Sequence, residues 1–339
     1  MKVLWLTTST NNTATFHGSL ESLGTHEGQI FRYDQKFYEQ LNQMVQANPG
    51  MKEQIERGMP VPMSRDRAAM DSEILLEAKI SKPDVIIYVS AWTGHFVPLN
   101  ETLGELNSIA PLVHFLCDGQ DPPWREQLYE FDRRGVFRLT VNIDGGHRWP
   151  GGADWTDASS KLKGDCLTLL TPIDPRSFRQ TNRAFVERPF LIGYSGSPSS
   201  SERSAVINRL QRVNGFNYRA RDNNPMSYAD HIAFLQLTQV SVNIPFTGSG
   251  MERHVKGRVL ESGFAGCCLL EWQSDTMRTW FTPRLDYEEF SSVEEAAEMA
   301  EWLAHHPGRA EDMGRALAEK CFSSYSPKNF WSLVLGAVA

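Results

Sequence analysis

The sequence predicts an α/β protein made of two Rossmann-like domains that face each other across a cleft. Short apolar runs bounded by turn residues alternate with longer amphipathic stretches, the pattern of parallel strands joined by crossover helices. That series is interrupted once, by a polar segment bracketed by prolines between Pro175 and Pro189, and then begins again. The length of 339 residues also exceeds what one small core fills. The domains are expected over 1–175 and 185–322.

In chain order, residues 2–7 (K-V-L-W-L-T) read as a first core strand, leading into a Thr/Asn-rich loop from Thr8 to Thr15. Doubly wound sheets bind ligands beyond such carboxyl edges. A helix is expected over His17–Leu23, then a turn and strand in G-T-H-E-G-Q-I-F-R-Y-D. Gln35–Arg57 reads as helix broken at Pro49–Gly50, and Asp66–Ile80 as helix with Ile74, Leu75 and Ala78 inward. K-P-D-V-I-I-Y-V-S is a buried-strand signal that runs into A-W-T-G-H-F-V-P. A helix over Leu99–Ile109 precedes a second buried strand, P-L-V-H-F-L-C-D, which enters D-G-Q-D-P-P-W; V-F-R-L-T-V-N-I-D-G-G is a further strand and turn.

The second half opens with R-P-F-L-I-G-Y-S, a strand entering a Gly/Ser loop, then a helix over Ser200–Val213. Gly193 and Gly196, with Ser195 between them, allow close backbone approach to a phosphate or sugar, and Arg203 adds a cation. The same residues also suit a Ser-rich loop that caps a helix. Tyr228–Thr238 reads as helix and Ser241–Ile244 as strand, closed by Pro245. Gly248 and Gly250 permit a loop with positive φ; a helix is expected from Met251 to a C-cap at Gly266, and Cys267–Leu270 as a buried strand.

On that helix His254, Arg258 and Glu261 would share a face. A helix N-terminus after a glycine loop favours anions, and Lys256 and Arg258 add charge there. A carboxylate one turn on accepts hydrogen bonds from sugar hydroxyls. This set fits a nucleoside diphosphate, with Glu261 on the ribose. It equally fits a surface helix with an Arg258–Glu261 ion pair.

Composition excludes several classes. Hydrophobic residues make up 41% and charged residues 22%, as in soluble globular proteins, and the formal net charge of −7 argues against a broad nucleic-acid or anionic-membrane surface. Five cysteines without a C-x-x-C pair give no disulfide framework. No apolar run approaches the ~18 residues of a membrane span, and the opening apolar run is short for a signal peptide. A cytoplasmic location is expected.

K-G-R-V-L-E-S-G-F-A-G (256–266), followed by a strand and an acidic residue, resembles the donor-site helix of GT-B glycosyltransferases, and most closely the CgeB-like, spore-maturation type. K-P-D-V-I-I-Y-V-S-A-W, V-H-F-L-C-D-G-Q-D-P-P-W and Y-S-P-K-N-F-W extend the resemblance from about Lys82 to the end. It implies sugar transfer from a nucleotide-activated donor, with Lys256 and Arg258 on the phosphates and Glu261 on the ribose. It also implies a first domain that holds the acceptor, a second that holds the donor, and a segment 323–339 that packs back on the first. GT-B enzymes let basic residues and a helix dipole do a metal's work, so no essential metal is expected. Many retaining relatives carry a second glutamate eight residues before the first; this chain has Arg253 there. An inactive GT-B scaffold that binds a nucleotide, sugar or protein partner is therefore the rival reading.

His95, in W-T-G-H-F after a buried strand, is the candidate catalytic base, and Asp118 and Asp121 the acceptor-side alternatives. His95 also fits an ordinary loop histidine. Asp118 and Asp121 lack D-x-D spacing, and adjacent His305 and His306 diverge on a helix and make no metal pair. The third glycine of G-x-G-x-x-G is replaced by Arg253, and no G-x-S-x-G elbow occurs. Glycan, lipid-linked glycan, protein, modified nucleic acid and small metabolite all remain acceptor classes.

Overall fold

The computed structural model describes residues 1–8, 13–48, 50, 67–89, 97–117, 122–145, 165–178, 183–198, 200–220, 226–246, 254–255 and 257–339. The first sheet is built from β1 (Lys2–Thr7), β2 (Glu27–Arg32), β3 (Val85–Val89), β4 (Leu112–Leu116), β5 (Leu139–Asn142) and β6 (Asp165–Thr168). Its order is β2-β1-β3-β4-β5-β6, every neighbour parallel, with Trp5 beside Ile30 on one side and Ile87 on the other. Strands β3 and β4 (V-I-I-Y-V and L-V-H-F-L) are buried at every position. Sheet strands covered by helices on both faces need such unbroken apolar runs, which is why they were legible.

Helices α1 (Thr13–Glu21), α2 (Gln35–Ala47), α3 (Arg67–Ser81), α4 (Asn100–Ile109) and α5 (Pro122–Arg134) connect these strands. Helix α2 ends at Ala47 and Asn48 is extended, as a residue before proline prefers. In α3, Ile74 and Ala78 are buried and Leu75 half-buried.

The second sheet holds β7 (Phe190–Gly196), β8 (Phe216–Ala220), β9 (Thr238–Asn243), β10 (Cys268–Trp272) and β11 (Glu288–Phe290), in the order β8-β7-β9-β10-β11, again parallel. Its helices are α6 (Ser201–Leu210), α7 (Tyr228–Gln236), α8 (Gly257–Phe264), α9 (Asp275–Trp280), α10 (Val293–His305) and α11 (Pro307–Ser323). Strand β8 was not foreseen; it is a half-exposed edge strand without a continuous apolar run. Helix α11 was not foreseen either. It starts on Pro307 and buries Ala310, Met313, Gly314, Leu317 and Cys321 at helical spacing.

The last helix, α12 (Pro327–Gly336), belongs to the first sheet's core. Trp331 packs edge-on to Trp5 and stacks on Phe115, each with ring centroids 5.7 Å apart, and its Nε1–H donates to Ser19 Oγ at 2.9 Å.

Helix α8 is shorter than its sequence suggests. His254 and Val255 lie outside α8, and their backbone N–H groups donate to Pro245 O (3.3 Å) and Asp144 O (2.9 Å). Both residues precede the helix, so His254 does not share its face with Arg258 and Glu261.

Candidate active site

Each sheet reverses its strand order once, between β1 and β3 in the first and between β7 and β9 in the second. Such switch points open crevices at carboxyl strand ends. A cavity of about 440 Å³ lies where the two meet, within the range of small-molecule sites. The first half lines it with Thr15, Phe16, Thr171 and Ile173, and the second with residues of β7, α6, α7 and α8.

Helix α8 supplies the charged end. Gly257 opens it, Arg258 follows, and Glu261 stands one turn on, while Val259, Leu260 and Phe264 face the core. Its other end is anchored by Arg188, only 9% exposed, which donates to Ala265 O (2.9 Å), Gly266 O (3.0 Å) and Thr238 O (2.9 Å). A cation at a helix C-terminus complements the dipole. Gly266 sits at φ +66° and closes the helix. Gly263 lets α11 approach, since a Cβ there would lie 2.4 Å from Cys321 Sγ.

Arg258 lies against the backbone of β7. A Cβ on Gly196 would stand 2.8 Å from both Nη atoms, so glycine is required for the guanidinium to sit there. The guanidinium carbon is 5.7 Å from the Tyr194 ring centroid, a cation–π distance. One face of Arg258 is thus fixed, and the residue lines the cavity.

Glu261 is buried, at 7% exposure. Its Oε2 is 3.0 Å from His231 Nε2, and His231 Nδ1 is 2.7 Å from Ser195 Oγ. Burial pushes the Glu261 carboxyl up, but the hydrogen bond and charge of His231, the charge of Arg258 and the nearby Tyr228 hydroxyl outweigh it and hold it below the ordinary carboxylate value. Tyr228 moves the other way: burial first, then the Glu261 charge, raise its phenol. The site therefore presents an ionised carboxylate beside a fixed guanidinium.

Arg203 also lines the cavity, its guanidinium donating to Phe246 O. Ser200 caps α6 by accepting from Arg203 N at 3.2 Å, so the serine loop is a cap and Arg203 a cavity residue together. Two expected residues sit elsewhere. Gly193 faces away from the cavity: a Cβ there would be 2.8 Å from Phe234 Cζ and from Thr238, so it is a packing glycine. His254 is 1% exposed, with Nδ1 3.6 Å from Asp144 Oδ2, and ties the two halves together instead of lining the cavity. Lys256, Gly248, Gly250, His95, Asp118 and Asp121 fall outside the described residues. Among the described residues no group of His, Cys, Asp and Glu is arranged to hold a metal ion.

His231 and Tyr228 were missed by sequence reasoning. The only signal was their i,i+3 spacing at the start of a helix that follows the polar run R-D-N-N-P-M-S, which names no chemistry.

The family model for glycosyl transferase-like proteins matches residues 198–335, a span that includes α6 to α11. No curated protein matches the sequence. Among solved structures, Anabaena HepE in complex with UDP and glucose is similar, with a TM-score of 0.62 at 10% identity over 99% of this chain and 98% of that one. A glycosyltransferase from Rickettsia africae has a TM-score of 0.61 at 9% identity over 99% and 97%. UDP-GlcNAc 2-epimerase from Neisseria meningitidis, bound to UDP-GlcNAc, has 0.57 at 9% over 99% and 100%. At such identities the likeness is one of architecture, and with two parallel α/β sheets sharing a cavity at their carboxyl ends this chain has the GT-B fold of the glycosyltransferases it resembles.

Proposed function

We propose that this protein is a glycosyltransferase that moves a sugar from a nucleoside diphosphate donor, closest in kind to the CgeB-like enzymes. The observation that carries the reading is the cavity end where the α8 N-terminus, Arg258 and ionised Glu261 converge. Charge grows on the leaving diphosphate as the glycosidic bond breaks. A guanidinium held against Gly196 and Tyr194, with helix N–H groups beside it, stabilises that charge most in the transition state. Lys256, two residues before Arg258, is assigned the same task, and Arg203 and Ser195 the phosphate side. Glu261 is assigned the ribose hydroxyls.

The reaction is proposed to need no metal, because Arg203 and Arg258 line the cavity and can take a metal's part there. His95 is assigned the acceptor proton, with Asp118 or Asp121 next. Support comes from their positions just beyond β3 and β4, whose carboxyl ends point to the cavity side. A cytoplasmic site of action is proposed because five cysteines, an odd number with no C-x-x-C pair, supply no disulfide framework; no helix among the described residues is long and apolar enough to cross a membrane.

Calorimetry with UDP, GDP, ADP and CDP, then donor hydrolysis and transfer with and without a chelator, tests this. UDP comes first because HepE is described with UDP and with UDP-glucose. Micromolar binding of one nucleotide and chelator-resistant turnover of its sugar conjugate are expected. Binding without turnover across broad acceptors would favour the scaffold, and no binding would end the proposal.

A further inference from the structure

We infer that His231 is a positioning residue for Glu261: it holds one carboxylate oxygen so that the other meets a ribose hydroxyl, and Ser195 fixes the imidazole that does so. The inference rests on the functional reading above, in which Glu261 meets the ribose.

Three elements converge to make this chain. Ser195 is the penultimate residue of β7, an inner strand paired with β8 and β9 and so fixed in place. His231 is in the first turn of α7, whose N-cap Ser227 accepts from Asp230 N at 3.1 Å. Glu261 is in the middle of α8. The two bonds, 2.7 Å at Nδ1 and 3.0 Å at Nε2, leave no free nitrogen on the ring. In a neutral imidazole the serine O–H donates to Nδ1 and Nε2–H to Glu261; in the imidazolium Nδ1–H donates to the serine oxygen and Nε2–H still donates to Glu261, so both forms hold the carboxylate. Oε2 is thereby engaged by His231; the Tyr228 hydroxyl also stands by this carboxylate, and its remaining lone pairs face a ligand donor. All three residues line the cavity, so the chain is part of its wall. A carboxylate that recognises a hydroxyl must be held within a fraction of an ångström, and supporting hydrogen bonds do that.

The side-chain lengths separate this role from simple packing. Glutamine places an amide N–H near the position of Nε2 and can replace the bond to Glu261. Asparagine reaches only as far as Nδ1. Parent, His231→Gln, His231→Asn and Ser195→Ala are titrated with UDP and with 2′-deoxyuridine diphosphate, with melting curves for each.

The parent should prefer UDP by ~10-fold or more, the scale of a hydrogen bond to a charged group. His231→Gln should keep most of that preference. His231→Asn should reduce it to within about threefold, and the UDP affinity of His231→Asn/Glu261→Gln should match that of Glu261→Gln alone, as coupled residues do. Ser195→Ala should weaken the preference partway, with the donor KM rising more than kcat falls.

Full preference in folded His231→Asn, or equal loss in His231→Gln and His231→Asn, would overturn the inference. Should His231→Asn fail to fold, undiminished preference in Ser195→Ala does the same. A parent that binds UDP without preferring it overturns this inference alone. A parent that binds none of the four ribonucleotides overturns the functional reading and this one with it.

Discussion

Strand β1 of the first sheet and strand β7 of the second occupy equivalent places, each beside the switch point of a sheet with the same strand order. Beyond β1 the chain gives the cavity Thr15 and Phe16, and beyond β6 Thr171 and Ile173. The carboxyl end of β7 and the elements around it give Ser195, Gly196, Arg203, His231, Arg258 and Glu261. Every charged residue among the described lining is on the second side. One topology thus presents two surfaces: one that can stabilise charge and orient a polar ligand, and one that shapes space with a hydroxyl and an aromatic ring. The difference teaches that the fold supplies the crevice and the side chains alone supply the chemistry.

The largest effect that would break this comparison is expected at Arg258. Arg258→Ala should lower turnover by ~10²–10³, the scale for losing a preorganised donor to a developing charge, with little change in melting. Parental rates in steady-state assays would move the diphosphate site elsewhere. Gly196→Ala comes next. Its new Cβ meets both Nη atoms at 2.8 Å, so it displaces the guanidinium without removing it. A shift of about 1 Å costs on the order of 10²-fold in rate; an active Gly196→Ala enzyme would show that the placement of Arg258 is incidental.

Glu261→Gln should weaken nucleotide binding by ~1.5–3 kcal/mol and raise KM more than it lowers kcat, read by calorimetry and initial rates. It also carries a pH signature. The folded carboxyl lies below its ordinary value of 4.5, so the unfolded chain takes up the proton first as pH falls. The stabilisation is present above that value and is lost as pH falls through the folded one. Melting temperature of the parent should therefore drop more steeply below pH 4.5 than that of Glu261→Gln.

The smallest effect is expected across the cavity. Thr15→Ala should change nucleotide affinity by no more than ~0.5 kcal/mol, because the first side offers the donor no charge. A larger loss in the same titration would make the first half part of the donor site and remove the asymmetry.

Much of the architecture was present in the chain itself. Short, largely apolar runs bounded by turn residues, such as V-I-I-Y-V and L-V-H-F-L, fit strands covered on both faces, and the proline-bracketed segment divides one strand–helix series from the next. That Arg258 and Glu261 both face the cavity was also local, because residues three apart on a helix share a side whatever surrounds them. Where the helix begins was not local. It starts at Gly257, after a segment in which the N–H groups of His254 and Val255 turn to Pro245 and Asp144, the second from the other half of the chain. That removed His254 from the site. Gly193 and Gly196, three residues apart, look alike as sequence, yet one meets Phe234 and Thr238 and the other meets Arg258, since a strand sends its neighbours to different surroundings. His231 is separated from Ser195 by 36 positions and from Glu261 by 30. No spacing rule links them. Only the parallel crossovers that bring β7, α7 and α8 to one edge put a serine, a histidine and a glutamate in a single hydrogen-bonded line, and that juxtaposition is a property of the tertiary structure.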